Sequence, residues 1–202
     1  MFDNRWTLQK GRLHLAFELG GKRIAYAYIR KNACSTFKRA LGFAPDTDVR
    51  EIEPHHRWSP WRNYDAIIFV WRDPEERLLS LYRNKILQRQ GADDIIRAYT
   101  SNMGEEPSTF EKFAEFALLN ADPHCVPQRD HLKPLRYTHA IPLSGLHAAM
   151  SEIVGADAAE VFAHNANPSS QANVEISERA RALIHKHYIR DYQMIDRLLT
   201  RR

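Results

Sequence analysis

The sequence predicts an α/β fold, a central and mainly parallel sheet flanked by helices, and three observations predict it. The run AIIFVW at 66–71 is apolar on both faces, as a strand in the middle of a covered parallel sheet must be. Residues 24–41, IAYAYIRKNACSTFKRAL, pass from an apolar strand pattern through a short polar loop straight into a helix start. Strand and helix patterns then alternate without repeats or low-complexity tracts, which is how layered α/β chains read. A length of 202 residues is enough for one domain, 1–202, with a substantial core.

The elements follow in order. Residues 12–18 (RLHLAFE) alternate, Gly20-Gly21 supplies a turn, and 23–29 (RIAYAYI) resumes the alternation, predicting an antiparallel hairpin. The helix begun near Ser35 or Thr36, with their hydroxyls as caps, puts Phe37, Ala40 and Leu41 on one side and stops near Gly42-Phe43-Ala44-Pro45. Residues 46–63 mix charge, Pro, Trp and two adjacent histidines without either period, predicting an ordered loop. After the strand at 66–71, Asp73 as N-cap, Pro74 at the first position and Glu75 and Glu76 against the dipole predict a helix over 74–89, with Leu79, Tyr82 and Ile86 as its apolar stripe.

A helix and loop occupy 91–108. Ser108 and Thr109 cap a helix whose Phe110, Phe113 and Phe116 face inward, closed by the Pro-containing stretch from Asn120. Residues 124–132 read as irregular, a short strand falls near 137–142, and a helix spans 144–153. A loop holding His164, Asn165, Asn167 and Pro168 leads to one long terminal helix over about 175–199.

Composition narrows the function classes. Hydrophobic residues at 44% and charged residues at 27% are ordinary for a soluble protein, and no apolar run is long enough to span a bilayer. The opening residues lack a basic-then-apolar leader, so the expectation is a cytoplasmic protein. Two cysteines, Cys34 and Cys125, are too few for a disulfide scaffold or a zinc site, and free thiols are expected. Twenty-nine Lys and Arg against 25 Asp and Glu give a net charge of +4, which suits a small anionic ligand better than a nucleic-acid surface.

Two strand-to-helix turns carry the chemistry. At the first, Arg30, Lys31, Asn32, Ala33, Cys34, Ser35 and Thr36 offer backbone N–H groups, a mobile cation and hydroxyls beside a helix start, a phosphate-binding layout. At the second, Arg72 precedes the Asp73-Pro74 turn, with Ser80 two turns on. If the two strands are parallel neighbours, both turns open at one sheet edge and a single ligand can touch both. Each turn alone also reads as an ordinary helix start.

Taken together these residues resemble the PAPS-dependent sulfotransferases, most closely their carbohydrate branch. IRKNACSTFKRAL is similar to that family's 5′-phosphosulfate loop, and FVWRDPEERLLSLYRNKI to its 3′-phosphate segment. FEKFAEFALLNADPHCVPQ resembles the family's Phe-x-x-Phe helix and His-x-x-Pro-Gln segment, and YIRDYQMI its closing Tyr-x-x-Asp-Tyr. Arg30 replaces the usual Pro, Ala33 stands where Gly is common, and Ile141-Pro142-Leu143-Ser144 lacks the usual acidic residue after the third strand.

The resemblance implies a P-loop-like three-layer sandwich and sulfuryl transfer from 3′-phosphoadenosine 5′-phosphosulfate (PAPS) to a hydroxyl of a saccharide, with no metal. Lys31 would meet the 5′-phosphate and bridging oxygen, residues 30–36 the 5′-phosphosulfate, and Arg72 with Ser80 the 3′-phosphate. His56, ahead of His55, is the expected proton acceptor, and His124 and Lys85 are expected on the acceptor side. Two other readings of the residues stand beside this one. A P-loop nucleotide kinase or NTPase shares the layout, though no G-x-x-x-x-G-K-[ST] occurs. A non-catalytic module for anionic polymers is the other.

Overall fold

The computed structural model of the protein describes residues 1–119, 122–164 and 173–200. In chain order it contains β1 (Phe2–Asp3), β2 (His14–Leu19), β3 (Lys22–Ala27), α1 (Cys34–Ala40), α2 (Val49–Ile52), β4 (Ala66–Trp71), α3 (Pro74–Tyr82), α4 (Asp93–Met103), α5 (Phe110–Leu119) and α6 (Gln128–His131). There follow β5 (Arg136–Tyr137), β6 (His139–Pro142), α7 (Leu146–Val154), α8 (Ala156–Ala159), α9 (Glu178–His187) and α10 (Ile189–Leu199). These elements fall into two compact units, one made of Met1–Arg72 and the described residues from Asp130 to His164, the other of Asp73–Arg129 and the described residues from Asn173 onward.

The first unit holds a mixed sheet in the order β2-β3-β4-β6. β2 and β3 form the expected hairpin, antiparallel from His14↔Ala27 to Leu19↔Lys22. The turn between them needs glycine twice over, because Gly20 and Gly21 both take left-handed φ, and a Cβ on Gly20 would lie 2.1 Å from the Val154 carbonyl oxygen. β4 lies between β3 and β6 and pairs parallel with both, which is why AIIFVW carries no alternation. α1 packs on the sheet through Phe37, stacked on Tyr26 at 3.8 Å between ring centroids and edge-on to Phe162 at 5.0 Å. The loop expected over 46–63 contains one short helix, α2, started by the Asp48 carboxylate, which accepts from the Arg50 N–H at 2.9 Å.

The second unit is helical. Asp73 caps α3 as expected, its Oδ1 accepting from the Glu76 N–H at 3.0 Å, with Pro74 at the first position. Its buried face is Arg77, Leu78, Ser80, Leu81 and Tyr82, so the stripe is rotated from the expected one and Leu79 is only half-buried. From Arg83 to Leu87 the helix widens to i→i+5 bonding, with the Gln88 N–H reaching the Arg83 carbonyl at 2.9 Å, before it ends. Phe110, Phe113 and Phe116 of α5 are buried against Tyr82 and Tyr99.

Two expectations are corrected here. Residues 124–132 include α6. The single terminal helix is two, α9 and α10, broken at Tyr188 where the backbone leaves helical geometry (φ −99°, ψ 22°). The break has a cause: the Tyr188 hydroxyl donates to the Cys125 carbonyl at 2.6 Å, and the displaced first turn of α10 aims Asp191 inward. The expected helix stop at Asn120 and loop residues Asn165, Asn167 and Pro168 lie outside the described residues.

Candidate functional site

β3 and β4 are adjacent parallel strands with Ala27 opposite Phe69, so the loop after β3 and the residue after β4, Arg72, leave the sheet at the same carboxyl edge. The two are tied directly. Asn32 is fully buried and its Nδ2 donates to the Val70 carbonyl at 2.8 Å, while the Tyr26 hydroxyl donates to the Asn32 carbonyl at 3.2 Å. Asn32, expected among the ligand-contacting residues, therefore holds the loop to β4 with its side chain. β6 ends beside Trp71, so Leu143 and Ser144 open at this edge too.

The loop keeps an unusual backbone. Lys31 and Ala33, neither of them glycine, both take left-handed conformations at φ 69° and φ 61°. Left-handed residues alternating with ordinary ones turn successive N–H groups toward one side, the arrangement of an anion-binding concavity. The position at which the resemblance implies Gly is thus a left-handed one, and Ala33 fills it at a cost.

Ala33 is also the N-cap of α1, and no side chain caps the helix. This corrects the expected capping by Ser35 or Thr36. Thr36 is buried and its N–H donates to the Ala33 carbonyl at 2.9 Å, so it belongs to the packing of the helix rather than to a ligand surface. Arg30, Lys31, Cys34 and Ser35 are all half-buried and line the loop. Beneath them the Lys38 ammonium donates to the carbonyls of Pro45 at 3.2 Å and Thr47 at 2.6 Å, and burial pulls its pKa below the usual lysine range. Burial likewise raises the Tyr28 phenol, which is hydrogen-bonded to Cys34.

Of the candidate bases, His55 is exposed and His56 half-buried. His56 Nδ1 lies 3.2 Å from the Ala16 carbonyl, its own carbonyl accepts from the Ala16 N–H at 2.7 Å, and Phe43 stands edge-on to its ring at 5.8 Å. With the proton on Nδ1, Nε2 is left as the acceptor nitrogen. The structure sets His56 along the outer edge of β2, level with Ala25 and short of the sheet edge where the Lys31 loop begins.

The remaining candidates belong to the helical unit. Ser80 is buried on α3. Lys85 donates to the carbonyls of Gln90 at 2.8 Å and Gly91 at 2.7 Å, fastening the turn after the widened helix. His124 Nδ1 lies 2.7 Å from Asp122 Oδ1, which also accepts from the His124 N–H at 2.7 Å, so the carboxylate orients the imidazole.

The same unit contains a buried knot that sequence reasoning quoted as motif without assigning it work. Asp191 accepts from the N–H groups of Gln128 at 2.8 Å and Arg129 at 2.9 Å, and the Arg77 guanidinium donates to the Val126 carbonyl at 2.9 Å. Burial raises the Asp191 carboxyl above its ordinary pKa, against those N–H groups and the Arg77 charge, which lower it. No local signal marked Arg77, a charged residue that shares its buried helix face with Ser80 and Leu81, three and four residues on.

Among the described residues no group of three or more His, Cys, Asp or Glu is placed to hold a metal ion, and no helix is long and apolar enough to cross a membrane. Cys34 and Cys125 are free thiols, as expected. Residues 19–150 match the model of the sulfotransferase family. Carbohydrate sulfotransferase 14 of Mus musculus is 35% identical over 128 residues, covering 50% of this chain and 33% of the relative, and that of Homo sapiens is 34% identical over 128 residues with the same coverage. The Danio rerio protein of that name is 29% identical over 141 residues, 56% of this chain and 37% of its own. The chain thus spans about a third of the length of the curated relatives it matches. No solved structure matches it.

Proposed function

The chain belongs to the sulfotransferase family, and on that premise we propose that it transfers the sulfuryl group of PAPS to a hydroxyl of a carbohydrate or glycoconjugate. The observation that carries this reading is the convergence of the Lys31 loop and Arg72 on one edge of adjacent parallel strands, locked by the Asn32–Val70 hydrogen bond. In this reading the loop's left-handed backbone presents N–H groups to the 5′-phosphosulfate, and Cys34 and Ser35 open a helix whose N-terminal end favours negative charge.

Lys31 faces the bridging oxygen. Breaking the sulfur–oxygen bond leaves negative charge on the departing phosphate, and a fixed cation stabilises that charge more than it stabilises the intact donor. Arg72 offers a planar fork to the 3′-phosphate. His56, its ring held at Ala16 with Nε2 left to accept, is the proposed proton acceptor, which requires the acceptor to reach from the Lys31 loop along the outer edge of β2. The finer architecture, a P-loop-like three-layer sandwich in a single domain, belongs to the same proposal, supported by the parallel β3-β4-β6 core of the sheet. A cytoplasmic setting is part of the same proposal.

Calorimetry with adenosine 3′,5′-bisphosphate tests the donor site. The parent protein is expected to bind, and Arg72→Ala to weaken binding by roughly 10- to 100-fold, the range of a charge-assisted pair. No binding by the parent, or unchanged binding by the variant, overturns the assignment. Labelled PAPS with a glycan panel then separates transfer from mere retention, and Lys31→Ala is expected to lower transfer by roughly 10²- to 10³-fold while changing bisphosphate affinity far less.

A further inference from the structure

Outside the candidate site and beyond the terminal Met1, the described part of the first unit exposes three large apolar side chains almost completely. Trp6 is 89% exposed, Leu8 102% and Trp61 93%. Soluble surfaces carry isolated leucines freely, but two tryptophans left almost wholly in water by a chain that buries or half-buries its other large aromatics call for a partner.

Their surroundings identify its chemistry. From residue 6 to 12 exposure alternates, with Trp6, Leu8, Lys10 and Arg12 exposed while Thr7, Gln9 and Gly11 are half-buried. The exposed side chains of this segment are therefore two apolar residues followed by two cations. It is held in place rather than trailing: Asn4 Nδ2 donates to the Lys133 carbonyl at 3.0 Å, the Asn4 N–H to the Leu135 carbonyl at 3.0 Å, and the Arg12 N–H to the His131 carbonyl at 2.9 Å. Gly11 packs so closely that a Cβ there would lie 2.5 Å from the Lys133 nitrogen.

The segment carrying Trp61 adjoins it. Arg57 bridges to Leu15, Trp58 lies 5.9 Å from His14 between ring centroids, and the Lys133 ammonium sits 5.2 Å over the Trp58 ring. Residues 57–62 read RWSPWR and residues 5–12 read RWTLQKGR, with four arginines and one lysine between them (Arg5, Lys10, Arg12, Arg57 and Arg62) and no carboxylate in either, Arg5 being paired with Asp3 just before it. Lys10, Arg12, Arg57 and Arg62 form no ion pair among the described residues.

We propose that this face of the first unit is a membrane-surface site that docks onto anionic lipid headgroups. Tryptophan rings insert at the headgroup boundary, where an apolar body and a polar N–H are both accommodated, and the adjacent cations read the negative surface. Charge complementarity selects this occupant over a second copy of the chain, whose same face would bring like charges together. The site lies on the surface and needs no spanning helix.

Sedimentation with phosphatidylcholine vesicles, with and without 30% phosphatidylglycerol, tests the assignment. The full chain is expected to pellet with the anionic vesicles at low salt and to be released at high salt. Lys10→Gln with Arg12→Gln is expected to weaken binding by roughly 30-fold, from the contribution of each basic residue near an anionic surface. Trp6→Ser with Leu8→Ser is expected to abolish it while the far-ultraviolet circular dichroism stays that of the parent. A blue shift of tryptophan emission on adding anionic vesicles, absent in Trp6→Ser with Trp61→Ser, locates the contact. Failure to bind anionic vesicles overturns the proposal, as does binding unaffected by these substitutions. A dimer dissolved by Trp6→Ser assigns the face to a second copy instead, and binding to heparin with none to vesicles assigns it to polysaccharide.

Discussion

The loop at Lys31 and the knot at Asp191 are both built from residues that resemble one family's motifs, yet they spend those residues in opposite ways. In the loop, Arg30, Lys31, Cys34 and Ser35 keep part of their surface open, and the backbone holds two non-glycine residues in left-handed conformations. In the knot, Arg77, Tyr188 and Asp191 are all buried, and the polar atoms described there satisfy backbone groups of Cys125, Val126, Gln128 and Arg129. A recurring polar residue thus marks either a ligand contact or an internal splice, and burial with its hydrogen-bond partners tells which.

The largest expected effect breaks the knot. Asp191→Ala leaves the N–H groups of Gln128 and Arg129 buried without their acceptor and removes the charge facing Arg77. Each unsatisfied buried group costs about 1–3 kcal/mol, so the helical unit is expected to lose about 3–5 kcal/mol. Urea unfolding followed by circular dichroism measures it. Asp191→Asn keeps one acceptor and is expected to lose about half as much. If Asp191→Ala instead leaves stability unchanged and abolishes transfer alone, the contrast between splice and ligand contact fails.

The next effect sharpens the contrast from the side of the sheet. His14, 3% exposed, has Nε2 2.8 Å from the Tyr137 hydroxyl and Nδ1 3.1 Å from the Arg12 carbonyl. Burial pulls its pKa down to about 4 from the ordinary 6.5. The folded state therefore holds a neutral imidazole, while the unfolded chain takes up a proton first as the pH falls. The stability this residue contributes is complete above pH 6.5 and is lost progressively toward pH 4, about 3 kcal/mol in all. Unfolding free energies at several pH values across that window, in parent and His14→Gln, are expected to show the slope in the parent and most of it gone in the variant.

Both regions were visible in the sequence to different depths. The parallel strand at 66–71, the hairpin around Gly20-Gly21 and the Asp73-Pro74 helix start were legible because each depends on neighbours in sequence. The rotation of α3's buried face was not, because Arg77 is charged and its burial depends on the Val126 carbonyl, 49 residues away. The break at Tyr188 was hidden for the same reason: residues 175–199 keep a helical pattern throughout, and only the distant Cys125 carbonyl gives Tyr188 a reason to leave it. Asn32 and Thr36 looked like ligand residues because the loop's chemistry is written in polar types, whereas which of them turn inward is decided by β4 and the helix interior.

The smallest effect falls on the loop itself. Ala33 takes φ 61°, ψ 16°, a conformation that costs an L-residue about 1–2 kcal/mol and glycine almost nothing. Glycine, however, also frees the unfolded chain, which offsets part of the relief. Ala33→Gly is therefore expected to stabilise the first unit by about 1 kcal/mol or less, read as a shift in denaturation midpoint with unchanged slope. The same substitution separates two roles of the strain. If the left-handed backbone serves only to turn N–H groups toward the donor, Ala33→Gly should leave bisphosphate affinity near that of the parent, since glycine adopts the same conformation. If alanine's stiffness also keeps the loop preorganised, affinity should fall even as stability rises, because the glycine loop must be ordered on binding. Measuring both quantities on one variant therefore decides whether the open region of this fold, like its buried knot, depends on rigidity or only on shape.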